Sequence, residues 1–208
     1  GWTLLVLREA FFGRGRPEAC RTMETEITGY EAAFDRFSEG DPDVALEMAW
    51  PLAHVWLFSG RLGSGMGRLE LLVDATAGAT SQARADTLAA GAFLLMYVNR
   101  YDQAITWVDE AIEIFRTIDD EQGLAFALAR RGHLAFSVGD IPAAFGLLQE
   151  SLDTCERVGY VEGTAWPLTL LGQARLWGGD ESDEALALLE EGRRQFIAVG
   201  DAYGQMHA

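Results

Sequence analysis

Tyr101-Asp-Gln-Ala-Ile-Thr-Trp-Val108 decides how this chain folds, because an octet of the same kind stands at three other places. Leu62-Gly-Ser-Gly-Met-Gly-Arg-Leu69 precedes it, and Ile141-Pro-Ala-Ala-Phe-Gly-Leu-Leu148 and Ser182-Asp-Glu-Ala-Leu-Ala-Leu-Leu189 follow. The fourth residue of each octet is small: Gly65, Ala104, Ala144 and Ala185, at successive separations of 39, 40 and 41. Four places later comes an apolar residue, Leu69, Val108, Leu148 or Leu189. A small residue with an apolar one a turn away suits a helix that closely approaches its neighbour, since a larger substituent on Cβ would hold the backbones apart.

Two further columns keep the same beat. Ala53, Ala92, Gly132 and Gly172 each precede a member of the first set by a near-constant interval, with Leu88, Leu128 and Leu168 four places before the last three. Between repeats run Phe115, Cys155 and Phe196, then Ile118, Val158 and Val199, then Gly123, Gly163 and Gly204. No stretch sustains period-two alternation, so strands are not expected. The pattern predicts first helices near 42–59, 81–98, 121–138 and 161–177, and second helices near 62–75, 101–117, 141–157 and 182–198. Asp41 before Pro42, Asp140 and Asp180 read as N-caps, and the Gly-Asp pairs at 139–140, 179–180 and 200–201 as helix junctions.

Working outward, Pro17–Phe37 reads as an amphipathic helix able to cap the stack, Trp2–Phe12 as a shorter one, and Gly13–Pro17 as a linker. The expected organisation is N-terminal helices over 1–40 and repeats over 41–79, 80–119, 120–159 and 160–200, with a further one begun at 201–208. The fold class is all-α, a right-handed α-solenoid of antiparallel helix pairs. An unfinished repeat leaves an apolar face bare, which truncation of a longer protein or self-association at that end would explain.

Composition narrows the function. Sixteen basic residues, all Arg, stand against 32 acidic ones, for a net charge of −16. Such a surface repels phosphates, so direct nucleic-acid contact and anionic membranes are not expected. The all-Arg usage with abundant Ala and Gly suggests a bacterial source. The apolar stretch Gly1–Phe12 is too short to span a bilayer and lacks a basic leader. Cys20 and Cys155 have no metal-ligand spacing, and both read as reduced thiols of a cytoplasmic protein.

The columns resemble tetratricopeptide (TPR) repeats: a small residue midway along the first helix, Ala early in the second, and an aromatic or aliphatic residue near its end. The period exceeds the usual 34. The longer version is similar to the helical region of large bacterial regulators of the LuxR/MalT-like or SARP/AfsR-like kind. Met23–Phe34 followed by Glu39–Leu46 resembles the lead-in to that region, and Phe115–Gly123 its repeat junction. The resemblance implies a regulatory interaction module, without the ATPase and DNA-binding parts of such proteins.

If first helices line the concave side, one stripe of each faces inward. It contains Trp50, His54 and Phe58, then Phe93, Met96 and Tyr97, then Phe126, Arg130 and His133, then Trp166, Gln173 and Trp177. Rich in aromatics and poor in charge, it suits a protein or peptide partner, other domains of the parent chain included. A second reading makes it a sensor groove for a small apolar inducer, and a third lets superhelical curvature bury much of it as core. The second helices carry the acidic residues Asp109, Glu110, Glu113, Glu150, Asp153, Glu190 and Glu191.

No residue set calls for a cofactor, a metal or catalysis. His54 and His133 stand two repeats apart, and His207 is the only other histidine. Gly60-Arg-Leu-Gly-Ser-Gly-Met-Gly67 lacks the lysine of a phosphate loop and follows a helix. The expected function is non-catalytic, in signalling or transcription regulation.

Overall fold

The computed structural model describes residues 16–179, 182–200, 204–205 and 208. The helix expected over Trp2–Phe12, the linker residues 13–15, Asp180, Asp201 and His207 lie outside the described residues, as does the Cys20 side chain. Nine α-helices are described: α1 (Arg16–Gly40), α2 (Pro42–Phe58), α3 (Leu62–Ala75), α4 (Gln82–Tyr97), α5 (Tyr101–Thr117), α6 (Glu121–Ser137), α7 (Ile141–Val158), α8 (Ala165–Trp177) and α9 (Asp183–Val199). No strand occurs among the described residues. The helices of the repeat fall within a residue or two of their expected ends, with one exception. Residues 161–164 form a separate 3₁₀ turn ahead of α8. Pro167 has no N–H to give the Gly163 carbonyl, so this segment tightens where an α-helix was expected to begin.

Caps are supplied as the junctions require. Asp140 accepts from the Ala143 N–H at 3.2 Å and Asp120 from the Gly123 N–H at 2.9 Å. Ser81 does the same for Arg84, and Ser182 for Ala185, so the N-cap of α9 is Ser182 and not Asp180 as expected. Asp41 departs from its expected role: its side chain makes no capping bond, while its own N–H donates to the Phe37 carbonyl at 2.7 Å and so binds it to the end of α1. The glycine-rich segment is helical from Leu62 onward, with Gly60 at φ +73 in the turn before it.

The chain divides into two compact units, Gly1–Ile114 and Phe115–Ala208. In the first, α2 packs against α1, α3 and α4, and α3 also packs on α4. Ala53, Gly65, Ala92 and Ala104 are all buried. The Trp56 indole fills the space a Cβ on Gly65 would need, and Trp107 does so at Gly91. Two buried polar clusters tie helices together. Arg84, almost fully buried, donates to Glu110 at 2.7 and 2.9 Å, to the Val73 carbonyl at 2.8 Å and to the Thr76 hydroxyl at 2.6 Å. Glu110, one of the acidic residues of the second helices, is thus an ion-pair partner of a buried arginine. Glu31 of α1, also buried, accepts from Trp56 Nε1 at 3.0 Å and Arg61 Nε at 3.1 Å, with Arg68 nearby at 3.8 Å. Burial alone would raise the Glu31 pKa, but the hydrogen bonds from Arg61 and Trp56 and the charges of Arg68 and Arg61 outweigh it and hold the carboxyl below its usual range.

In the second unit α6 pairs with α7 and α8 with α9, while α8 also meets α6 and α7. Ala135, Ala144, Leu148, Leu170 and Leu171 form its core. The repeat-junction column has a physical cause. A Cβ on Gly123 would run into Phe115, on Gly163 into Tyr160 and the Cys155 sulfur, and on Gly204 into Phe196. Each glycine thus lets the next segment cross over the buried end of the preceding second helix. Burial and the neighbouring charge of Glu156 push the Cys155 thiol up to about 11, leaving it protonated and unreactive at neutral pH. A column not singled out from sequence lies seven residues after the first: Leu72, Ala111, Ser151 and Gly192, all buried. There the Ser151 hydroxyl donates to the Ala125 carbonyl at 2.7 Å, and a Cβ on Gly192 would lie 3.1 Å from the Ala165 carbonyl oxygen.

Two outcomes follow from this packing. A Cβ on Gly172 would stand 2.8 Å from Leu189 Cγ and 3.0 Å from the Ala185 carbonyl oxygen, whereas one on Gly67 meets nothing within 4 Å. Urea unfolding should therefore show Gly172→Ala losing about 1–3 kcal/mol and Gly67→Ala gaining about 0.5–1 kcal/mol; equal effects would contradict the close crossing. Glu31→Gln should cost about 1–3 kcal/mol at neutral pH. Because the folded-state pKa of Glu31 is depressed, its stabilisation is complete above the unfolded carboxyl range and is lost as pH falls through the folded value. The gap between wild type and Glu31→Gln must then close in acid, and a gap independent of pH would show that the charge of Glu31 contributes nothing.

Candidate functional site

The aromatic stripe begins from the small residue of each first helix, the point of closest helix approach. At about 100° per residue, the position three before it lies about 60° round the helix, one after about 100°, and five after about 140°. Exposure follows that angle. Three before, Trp50, Ala89, Ala129 and Thr169 are buried. One after, His54 and Phe93 are buried, while His133 and Gln173 are half-buried. Five after, Phe58 and Tyr97 are 44% exposed and Trp177 is 80% exposed. Each first helix thus offers a packed floor and, except where Ser137 stands in α6, an exposed aromatic at its C-terminal end.

In the first unit the floor is built from Trp50 and His54 on α2 and Phe93 on α4. The Trp50 and His54 rings meet at 5.1 Å, and His54 Nδ1 hydrogen-bonds the Trp50 carbonyl at 3.0 Å. That i, i+4 bond to the backbone gives one ring nitrogen a partner within its own helix. Phe93 receives Tyr97 edge-on at 5.2 Å, so the exposed tyrosine stands on a buried ring. Met96 is half-buried beside it in sequence, and Phe58 occupies the corresponding exposed place on α2.

In the second unit the floor is a cation held among rings. Arg130 is 7% exposed, and its guanidinium lies 4.8 Å from the centroid of Phe126 and 5.5 Å from that of Trp166. His133 stacks on the same indole at 6.1 Å, and Trp166 meets Phe196 edge-on at 5.1 Å. Arginine is suited to such a place, being planar, permanently charged and weakly hydrated. Gln173 is half-buried one turn along from Thr169. Trp177 leans edge-on against Phe136 at 5.7 Å, with most of its surface in solvent. Phe136 belongs to the same stripe, four residues after Gly132.

Within each unit the chosen residues therefore separate into a floor (Trp50, His54 and Phe93; Arg130, with the half-buried Phe126, His133, Trp166 and Gln173) and exposed anchors (Phe58 and Tyr97; Trp177). Such an arrangement provides stacking and apolar contact with few groups able to transfer protons. Among the described residues no three His, Cys, Asp or Glu side chains gather as a metal site. The Arg84 and Glu31 clusters were missed from sequence. Their only trace is a charged residue inside an otherwise apolar helical face.

No protein-family model matches the chain, and no curated protein matches it by sequence. Solved structures do resemble it. BtubC (BKLC) from P. vanneervenii superposes with a TM-score of 0.68 at 19% identity, covering 96% of this chain and 89% of that one. The Rap protein complexed with Competence and Sporulation Factor gives 0.74 at 17% identity, covering 97% of this chain but only 55% of that one. YrrB, a TPR protein with an unusual peptide-binding site, gives 0.56 at 13% identity over 91% and 88% of the two chains. At these identities the likeness is one of fold: this chain is an all-helical, tetratricopeptide-like array of helix pairs.

Proposed function

We propose that this chain is a non-catalytic interaction module of a bacterial transcriptional or signalling regulator, working in the cytoplasm and holding a protein or peptide partner on the aromatic faces of its first helices. Other segments of its own parent protein are included among such partners. The observation that carries this reading is the exposed aromatic set edge-on against a second ring, buried at Phe93 and half-buried at Phe136. Tyr97 stands on Phe93, and Trp177, 80% exposed, stands on Phe136. A large ring left in water costs apolar hydration, and one held in a fixed orientation by the ring beneath it loses little freedom on binding. Interfaces use such aromatics as anchors. Two proteins of the same fold lend support, Rap in its complex with Competence and Sporulation Factor and YrrB with its peptide-binding site. The net charge of −16 favours a partner that is basic or neutral. No described helix is long and apolar enough to cross a membrane.

The test separates floor from anchors. Arg130→Ala removes a buried cation from its rings and should lower stability by about 1–3 kcal/mol. Phe58→Ala, Tyr97→Ala and Trp177→Ala should each change stability by less than about 0.5 kcal/mol. A peptide selected from a random library on the immobilised chain should then lose about ten-fold in affinity, or about 1.4 kcal/mol, on at least one of these three changes. Selected peptides that bind all three variants as tightly as wild type would sink the proposal. Should no peptide bind while a metabolite raises the melting temperature in a manner lost with Trp50→Ala or Trp177→Ala, the small-ligand sensor replaces it.

A further inference from the structure

We infer that α2 takes a partner segment with a basic side chain at one end and an aromatic or aliphatic one at the other. This inference rests on the reading of the first-helix faces as docking surfaces. Asp43, Glu47, Trp50, His54 and Phe58 follow one another at steps of four, three, four and four residues, so they form one line along the helix. Exposure changes along that line. Asp43 and Glu47 are exposed, Trp50 and His54 are buried, and Phe58 is 44% exposed. Glu47 and Phe58 stand eleven residues apart, about three turns, on the same side of α2 and about 16 Å from each other. On α4, the next first helix, Tyr97 holds the place of Phe58 and is exposed to the same degree.

Asp43 lies in the first turn of α2, where a carboxylate also suits the positive end of the helix dipole. Glu47 lies beyond that turn. Arg61, Arg68, Arg84 and Arg100 of the same unit pair with Glu31, Asp35, Glu110 and Glu70, away from this line. Charge decides between occupants. A wholly apolar segment would suit Phe58 and Tyr97 but would strip water from the carboxylates without return. An acidic segment is repelled, and so is a second copy of a chain with net charge −16. A segment with Arg or Lys at one end and an apolar side chain at the other is complementary to both ends. An extended backbone advances about 3.3 Å per residue, so about five residues separate its two contacts. In the second unit Phe126 and Trp166 hold the place of Glu47, with Arg130 lying over both rings, so a basic side chain meets no carboxylate at that place.

Random peptides displayed on phage and selected on the whole chain at low salt are the probe. Selected sequences should carry Arg or Lys about four to six residues from an aromatic or aliphatic residue. The tightest, made synthetically, should bind Glu47→Gln about two- to five-fold and Glu47→Arg about ten-fold more weakly than wild type. Phe58→Ala should cost about ten-fold, and affinity should fall as NaCl rises from about 50 to 500 mM. Changing the basic residue of the peptide to Glu should weaken its binding to wild type and strengthen its binding to Glu47→Arg. Circular dichroism should show the helix content of each variant unchanged. A peptide that needs Phe58 or Tyr97 yet ignores Glu47→Arg overturns this inference and leaves the docking reading standing. One that needs only Trp177 does the same. Peptides indifferent to all three rings, or a selection that yields no binder, overturn both.

Discussion

Everything in this molecule rests on how closely one helix backbone approaches the next. At Gly132 and Gly172 there is no room even for a methyl group, because Leu148 and Leu189 of the paired helices fill the space. Gly65 and Gly91 make the same concession to the indoles of Trp56 and Trp107. Close approach brings the flanking leucines into full contact and removes them from water, which gives neighbouring helices their cohesion. Because the approach recurs at each pair, each pair also presents its remaining surface at the same angle. Floor and exposed anchor are consequences of that angle.

Around this constant the crossings vary. The position seven residues beyond the first small column holds Leu72, Ala111, Ser151 or Gly192, all buried. Ser151 donates to a carbonyl of the facing helix, while Gly192 lets the Ala165 carbonyl approach. Near the crossing of α4 and α5, a buried guanidinium spans Glu110, Thr76 and a carbonyl at the end of α3. Its position also complements the negative end of that helix dipole. α1 is held differently again, by Glu31 beneath Trp56 and Arg61 and by the Phe34 ring set edge-on to Trp56 at 5.5 Å. Polar clusters of this kind fix which helix docks where, since a shift by one turn would strand a buried charge.

The proposed contact surface is a by-product of packing geometry. Rings nearer the line of helix contact brace one another, and those farther round the helix stand in water on top of them. The two units solve the floor in different chemistry. One uses Trp50, His54 and Phe93, with the imidazole bonded to its own helix; the other uses Arg130 between Phe126 and Trp166. In both, an exposed aromatic rests edge-on against a second ring, Tyr97 on Phe93 and Trp177 on Phe136.

The repeat columns alone determined the helix-pair architecture, nearly all helix limits, and the burial of Ala53, Ala92, Gly132, Gly172, Gly65, Ala104, Ala144 and Ala185. Those features depend on periodicity and residue size, which are local and legible. The 3₁₀ turn at 161–164 was also in principle readable, because Pro167 lies only a few residues beyond it. The pairing of Arg84 with Glu110 and of Glu31 with Trp56 and Arg61 was decided only in three dimensions, because it joins residues 25 to 30 apart whose side chains meet only once the helices cross. The same holds for the stripe. Sequence placed Trp50, Phe93 and Trp177 on one face, but how far each lies from water depends on where the neighbouring helix stands. That is a property of packing, and no single helix carries it in its own residues.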